Sequence, residues 1–359
     1  MDFALSPDQR LMADSIAGVL DRVAPLAVVR AFAEGGEAVA GGVWSGLIDL
    51  GVPGLLIDEE HGGLGLGLLD AAVVAEALGA RAAPAPFVGS AVLAPLAISA
   101  GSAIQQSEWL PKLAAGAVLA GVAINEALAG SRDGAGVVAK DGRLTGSSLF
   151  AIDAAGADIL VIADRTGALH LMAADAPGVE IVPLATIDAT RRFSEIRLER
   201  VAAEPLAQLE TLPRLRDAAW VMLAADMLGA AQAMLDKAVA FAKERRQFGR
   251  PIGGFQAVKH LCAEMAAELE PARSLVWYAA YAADAVPAEA SLTAAHAKAH
   301  LSEVGRFVAR TATEVHGGIG FTDLLGLHYW FKRVGVDRQL FGGPEHVRSL
   351  AARMQGLAA

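Results

Sequence analysis

The spacing of apolar residues predicts that the first third of the chain is helical. Ser6, Pro7 and Asp8 combine a capping residue, a proline suited to the first helical position and an acid for the first turn, which is typical of a helix start. A helical period returns over residues 68–78, and the uncharged stretch 87–104 predicts a buried helix. We therefore predict an all-α N-terminal domain over residues 1–117.

Alternating apolar and polar positions predict strands in the middle of the chain. Alternating runs flank Asp141 and Thr166, each of which is followed by a glycine, and such pairs are strong signals of β-hairpins. Residues 180–184 and 193–198 add two further short strands. We therefore predict a middle β-barrel or β-sandwich domain over residues 118–206.

Helical periodicity returns after residue 212 and continues to the C-terminus. Long antiparallel helices joined by short turns are typical of a four-helix bundle. The predicted helices cover residues 216–243, 255–283, 288–315 and 329–340. The fold class is therefore mainly α, with a helical N-terminal domain, a middle β domain and a C-terminal four-helix bundle over residues 207–359.

Composition and charge exclude several classes of function. The chain has 359 residues, 54% of them hydrophobic, which is enough for a large core in two or three domains. Its net charge of −10 argues against nucleic acid as a partner. The single cysteine, Cys262, excludes an internal disulfide framework and fits a reducing compartment. We expect a cytoplasmic protein without a membrane-spanning segment, because Pro95 and several glycines and serines interrupt the stretch 87–104.

The densest motif is ERRQFGRPIGGFQAVKHL, residues 244–261, where a basic, glycine-bearing turn separates two predicted helices. Arg245 lies at the end of the first helix, where its planar guanidinium can hold phosphate oxygens through two hydrogen bonds. The alternative is that Arg245 only pairs with Glu244 or Glu264. A second glycine turn, residues 317–320, offers backbone N–H groups that suit a phosphate or an adenine edge. We predict an anionic ligand at the motif.

The domain order, ERRQFGRPIGGFQAVKH and EVHGGIGFT (residues 314–322) together resemble the acyl-CoA dehydrogenase family. PGLLIDEEHGGLGLGLLD and QQSEWLPKLAAG extend the resemblance over nearly the whole chain. The resemblance implies FAD as the cofactor, an acyl-CoA thioester as the substrate and electron-transfer flavoprotein as the electron acceptor. The implied reaction is α,β-desaturation, in which a carboxylate removes the α-proton while hydride leaves the β-carbon for the flavin.

The resemblance also assigns cofactor contacts to particular residues. In the family, the matching arginine and the residue two positions later touch the FAD of the neighbouring subunit. The expected cofactor-binding residues are Arg245, Gln247, Phe248, Phe255, Glu314, Gly317, Gly318 and Ser131. Glu314 departs from the family's usual glutamine, and its carboxylate would face the negatively charged pyrophosphate.

The positions of the family's catalytic carboxylate hold residues that cannot take a proton. Gly342, within Phe341-Gly342-Gly343, matches the usual glutamate near the C-terminus, and Ala219 matches the position used in some members. The flavin-side residues depart as well, because Ile152 replaces a threonine whose hydroxyl would serve the flavin ring.

Three interpretations are compatible with this pattern. In the first, which we favour, the chain is one subunit of an α2β2 heterotetramer and completes the FAD site of a catalytic partner that acts on a steroid or other bulky acyl-CoA. In the second it is a complete homodimer or homotetramer with a displaced base, Glu345 or Asp323; Glu345 also suits the acidic start of a last helix. In the third it is a flavin-free structural or regulatory relative.

The remaining charged residues indicate no further chemistry. His260 and His316 lie in or beside the motifs, but no third ligand is placed to form a metal site with them. Arg333 and Arg338 lie late in the bundle, where we expect exposed charges that contact CoA phosphates or an interface.

Overall fold

The computed structural model describes residues 4–129, 135–207 and 211–358, and its N-terminal part is helical. The helices are α1 (Pro7–Val23), α2 (Leu26–Glu34), α3 (Gly41–Ile48), α4 (Leu68–Arg81), α5 (Ala94–Ser99) and α6 (Ala103–Ala114), with a π-helical turn, Val88–Leu93, directly before α5. The predicted helix start at Ser6 is confirmed. The Ser6 hydroxyl accepts a hydrogen bond from the Gln9 amide at 3.1 Å, and the Gln9 side chain accepts one from the Ser6 amide at 3.0 Å.

The middle of the chain forms one continuous eight-stranded sheet. Its elements are β1 (Ala120–Ala123), α7 (Asn125–Ala129), β2 (Gly136–Lys140), β3 (Arg143–Ile152), β4 (Ile159–Ala163), β5 (Leu169–Ala173), β6 (Val179–Leu184), β7 (Phe193–Ala202) and β8 (Glu204–Ala207). The strand order is β6-β7-β3-β1-β4-β5-β8, with β2 paired to β3, and the predicted hairpins after Asp141 and Thr166 are confirmed. One face of the sheet encloses a small separate core around Leu144 and Ile196, while Ile152 and Phe193 join the main helical core.

The C-terminal part is a bundle built around one long buried helix. Its elements are α8 (Thr211–Glu244), the two-residue strands β9 (Arg246–Gln247) and β10 (Arg250–Pro251), α9 (Gln256–Ala285), α10 (Pro287–His316), α11 (Leu327–Gln339) and α12 (Pro344–Met354). Within the described ranges, α8 alone is long and apolar enough to cross a membrane, but 89% of its apolar window is buried inside the protein. It is therefore a core helix of the bundle.

Two glycines bring α4 of the N-terminal domain into contact with α8. A Cβ atom at Gly79 would lie 2.0 Å from the Asp226 carbonyl oxygen, and one at Gly229 would lie 1.9 Å from the Glu76 carbonyl oxygen. Any larger residue would push the two helices apart, since protein interiors are close-packed. This crossing places the middle of α8 directly against the N-terminal domain.

One predicted domain boundary falls between two elements of the structure, and the other falls inside a strand. The boundary at 117/118 lies between α6 and β1, whereas the boundary at 206/207 lies inside β8, shortly before α8. Both boundaries remain a proposal, because one hydrophobic core runs through all three parts of the chain.

Candidate functional site

The motif over residues 244–261 forms an exposed hairpin at the end of α8. Strand β9 pairs antiparallel with β10, and the connecting residues Phe248 and Gly249 both have positive φ, +50° and +78°. This matches the twist that two-residue hairpins require. Arg245 and Gln247 are exposed, and Phe248 is 92% exposed. The side chains expected to contact FAD therefore lie on the surface of the chain that carries them.

The second glycine motif lies beside this hairpin. The rings of Phe241, in the last turn of α8, and His316, in the last turn of α10, are 4.7 Å apart. Burial lowers the pKa of His316, whose Nδ1 donates a hydrogen bond to the Ala312 carbonyl at 2.7 Å. Arg245 lies one helical turn after Phe241, and Gly317 directly follows His316. The structure thus brings the two sequence-predicted motifs to the same end of the bundle.

The other predicted cofactor contacts are distributed around this end of the bundle. Gly317 and Gly318 are exposed in a turn that begins with a positive φ of +63° at Gly317, and Glu314 is exposed one turn earlier. Phe255 is half-buried at the start of α9, behind the hairpin. Ser131 lies outside the described residues.

The family's main base position, Gly342, lies in a turn that is held by the middle domain and by α8. The amide of the preceding Phe341 donates to the Asn125 side-chain oxygen at 3.0 Å, and its carbonyl accepts from the Trp220 indole at 2.9 Å. Gly342 itself is buried with φ +107°. Ala219 is fully buried one residue before Trp220. The middle domain, α8 and the C-terminal turn therefore meet where the family places its base, and neither base position carries a carboxylate.

The two proposed replacement bases lie on the surface in ion pairs. Glu345 Oε1 is 3.4 Å from Arg338 Nη2, and the Glu345 side chain is 74% exposed. Asp323 Oδ2 is 3.0 Å from Arg30 Nε, with 58% of its side chain exposed. Each of these carboxylates already has a cationic partner and an aqueous surrounding.

A small pocket lies where the three parts of the chain converge, and charged residues form part of its wall. Arg333 is 2% exposed, contrary to the expectation that it is a surface charge. Its Nε and Nη2 donate to the two carboxylate oxygens of Asp226 at 2.7 and 2.6 Å. Its Nη1 donates to the Ala83 carbonyl and the Thr190 hydroxyl at 3.2 and 3.0 Å. Arg333 therefore links α8, α11, the chain just after α4 and the loop before β7.

A second buried arginine extends these contacts to α10. Arg191 contacts Asp188 at 2.8 Å and Asp337 at 2.6 Å, and the Lys298 ammonium donates to the Asp337 backbone carbonyl. Burial raises the pKa of Asp337 to about 8, and burial lowers the pKa of Lys298 to about 7. We call the connected set of charged residues the buried ion network: Asp188, Arg191, Asp226, Lys298, Arg333 and Asp337.

The buried ion network was not predicted from the sequence, although two signals were available. Arg333 and Asp337 lie four residues apart in α11, in the same stripe as the buried Trp330 and Val334. Asp226 interrupts a long apolar run in the middle of α8. A charged residue in an apolar helical stripe needs a buried partner, and the partner cannot be located without the fold.

Asp153 lines the same pocket, and burial disfavours the charged form of its side chain. It accepts a hydrogen bond from the Gly89 amide at 2.6 Å. Burial raises its pKa to about 6 from 3.8, and this hydrogen bond and Arg191 only partly oppose the rise. Because the folded state holds this proton more tightly than the unfolded state, the contribution of Asp153 to stability falls as pH rises from 3.8 to about 6.

Replacing Asp153 by asparagine should therefore stabilise the protein at high pH. The difference between the variant and the wild type should disappear in acid, because the aspartate is then neutral too, and the amide keeps an oxygen that can accept from Gly89. We expect Asp153→Asn to gain about 1–3 kcal/mol at about pH 8 and little at about pH 4. Urea denaturation of both proteins at the two pH values measures this. A stability difference that does not change with pH would contradict the assignment.

The hairpin and the glycine turn fit the phosphate-bearing half of FAD. They offer an exposed guanidinium, an exposed amide side chain and two exposed glycines at one end of the bundle. The chain's own flavin-side position is different, because Ile152 is 5% exposed and has no hydroxyl. The residues present therefore fit a cofactor presented from outside better than one held on the chain's own β domain.

The chain matches known proteins over nearly its full length. Models of the acyl-CoA dehydrogenase N-terminal and C-terminal domains match residues 6–117 and 217–355. Acyl-CoA dehydrogenase IpdE2 of Mycolicibacterium smegmatis is 32% identical over 98% of this chain and 100% of the relative. Two solved structures are similar: the ChsE4-ChsE5 complex from Mycobacterium tuberculosis (26% identity, TM-score 0.91, 100% of both chains) and the Tcur3481-Tcur3483 steroid ACAD (28%, 0.89, 97% and 98%). The chain belongs to the acyl-CoA dehydrogenase family, whose members are FAD-dependent oxidoreductases acting on acyl-CoA.

Proposed function

We propose that this chain is one subunit of a heteromeric acyl-CoA dehydrogenase and completes the FAD site of a catalytic partner chain. The substrate class is a bulky acyl-CoA thioester such as a steroid derivative. The assembly is an α2β2 heterotetramer, electron-transfer flavoprotein is its electron acceptor and the cytoplasm is its location.

One contrast carries this proposal. Arg245, Gln247 and Phe248 are exposed on a well-formed hairpin that points outwards, whereas the chain's own base position is the buried Gly342. A group that points outwards can only act on a ligand outside its own fold. The intact hairpin motif therefore serves a neighbouring site, whereas Gly342 at the base position leaves this chain without a base.

The similar proteins support the same arrangement and the substrate class. The two solved structures are each named for a pair of chains, and one of them is called a steroid ACAD. Both align with this chain over 97% or more of its length. FAD held at the site that Arg245, Gln247 and Phe248 complete would supply the acceptor for the hydride that leaves the β-carbon of the substrate. The partner must supply the carboxylate that removes the α-proton.

Co-purification from the native host tests the proposal directly. A tag on this chain should retain a second acyl-CoA dehydrogenase chain in equal amount, together with the yellow absorption bands of flavin. The isolated chain should bind little FAD. If the isolated chain instead binds stoichiometric FAD and turns over an acyl-CoA, it is a complete homo-oligomeric enzyme. A complex without flavin bands would identify a structural or regulatory relative.

Replacing Arg245 by alanine should weaken FAD binding to the co-purified complex. A hydrogen bond to a charged group contributes about 1.5–3 kcal/mol, so the dissociation constant should rise about tenfold to a hundredfold. Titration of the flavin-depleted complex with FAD, followed by flavin fluorescence, measures this. Lys140→Ala is the control, because Lys140 is an exposed cation at the end of β2, away from the hairpin. Equal affinity of Arg245→Ala and Lys140→Ala would remove Arg245 from the FAD site.

A further inference from the structure

The exposed hairpin is attached to the bundle by few contacts. Backbone hydrogen bonds join Arg245 to Phe241 at 2.8 Å and Ile252 to Arg245 at 2.7 Å. Two polar side chains of the hairpin form hydrogen bonds within it: Arg246 donates to the Gly249 carbonyl at 3.1 Å, and Gln247 donates to the Arg246 carbonyl at 2.8 Å. These local bonds shape the hairpin but do not fix its direction relative to α9.

Arg250 makes the contact that joins the hairpin to the start of α9. Its guanidinium lies 4.0 Å from the centre of the Phe255 ring, over the ring face. Its side chain also runs along the turn before α9, since a Cβ atom at Gly254 would lie 3.6 Å from Arg250 Cδ. Arg250 is therefore folded back against its own chain, although it lies on an exposed strand. A cation over an aromatic face is attractive, and the planar guanidinium suits this stacking.

The same ring supports the tip of the hairpin. The Phe248 and Phe255 rings meet edge to face, with centres 6.1 Å apart and an angle of 82°. Phe248 holds a positive φ of +50°, which is uncommon for a bulky residue and must be stabilised by its surroundings. Arg250, Phe255 and Phe248 therefore form a continuous stack from β10 through the start of α9 to the hairpin tip.

We propose that Arg250 is a positioning residue, whose stack on Phe255 holds the hairpin in the orientation that presents Arg245 and Phe248 to the FAD of the partner chain. This inference rests on the proposed function. The alternative role for Arg250 is a direct charge on the FAD phosphates. The two roles differ in their dependence on Phe255, because a stack needs both members while a charge acts without the ring.

A double-mutant cycle on the co-purified complex separates the two roles. We expect Arg250→Ala and Phe255→Leu each to raise the FAD dissociation constant about threefold to tenfold, as cation–π contacts of about 0.5–1.5 kcal/mol imply. The double variant should lose little more than either single variant, because each change removes the same stack. Arg250→Lys should recover part of the affinity, since lysine keeps the positive charge but lacks the planar guanidinium group. Lys140→Ala should match wild type.

Amide hydrogen exchange gives a readout that does not require FAD. In the isolated chain, Arg250→Ala should speed exchange at Ile252, at Gln247 and at the paired position 250, while the middle of α8 stays protected. Additive losses in the double variant, or wild-type FAD affinity and exchange in Arg250→Ala, would overturn the inference. If the wild-type complex binds no FAD at all, the proposed function fails and this inference fails with it. If the wild-type complex binds FAD and only Arg250→Ala is silent, the proposed function stands.

Discussion

Replacing Gly342 by glutamate, the family's usual residue at this position, is expected to destabilise the chain without giving it catalytic turnover. Gly342 has φ +107°, a conformation that side-chain-bearing residues rarely adopt, and a Cβ atom there would lie 2.9 Å from Cδ2 of His346. Strain and overpacking together should cost about 2–4 kcal/mol of folding free energy. The turn cannot relax freely, because Asn125 and Trp220 hold Phe341 by hydrogen bonds from two sides.

Thermal denaturation and flavin bleaching by an acyl-CoA measure the two parts of this result. Gly36→Glu is a matched control, because Gly36 is exposed, has no positive φ and has no atom within 4 Å of a built Cβ. A second variant, Gly342→Glu with His346→Gly, removes the steric clash but keeps the backbone strain. It should recover part of the stability and no turnover. Bleaching by the isolated Gly342→Glu chain would show that this chain retains an active site lacking only its carboxylate.

The backbone geometry of the turn shows that the absence of the base involves more than the loss of one side chain. A glycine at +107° allows the turn to take a path that a glutamate could not follow easily. Glu345, the carboxylate nearest in sequence, does not compensate, since it pairs with Arg338 on the surface. The loss of the base therefore involves the local backbone as well as the side chain, which is consistent with a subunit that has no use for one.

Local signals in the sequence made the elements predictable. The Ser6 capping box and the glycine after Asp141 act through backbone groups within a few residues, so short stretches determine them. The ligand motif was recognisable, but its conformation was not. Phe248 is a poor residue for positive φ, and strands of two residues leave no alternating pattern. The Phe248 ring packs against Phe255 seven residues later in the same motif, and the spacing alone does not show that the two rings meet.

Long-range partners could not be predicted in the same way. Arginine is usually a surface residue. Arg333 can be buried because Asp226 on another helix and Thr190 in the middle domain accept its hydrogen bonds. The position of Asp226 depends in turn on the glycine-mediated crossing of α4 and α8. A single sequence contains each of these residues but not their distances. Buried charge pairing is therefore the part of the site that required the structure.

Breaking the Arg333–Asp226 pair is expected to have the largest effect on stability. Burial alone would raise the pKa of Asp226, but the two hydrogen bonds from Arg333 hold it below its ordinary value. Arg333→Met leaves this carboxylate in the core without its hydrogen-bonded cationic partner, which should cost about 3–5 kcal/mol. Asp226→Leu should cost a similar amount by leaving Arg333 unpaired. Shifts of the urea denaturation midpoint measure both changes.

The double variant Arg333→Met with Asp226→Leu should be more stable than either single variant, because no unpaired charge then remains in the core. Arg306→Met is the matched control: Arg306 pairs with Glu303 at 2.8 Å but is 64% exposed, so the same substitution should change stability by less than about 1 kcal/mol. A double variant as unstable as the sum of the single variants would mean that Ala83 and Thr190, which also accept from Arg333, dominate its contribution. The buried ion network would then act mainly by joining α11 to the other two parts of the chain. In either outcome, the charged residues Arg191, Asp226 and Arg333 in the wall of the central pocket already have partners. A substrate entering the pocket would have to break those pairs.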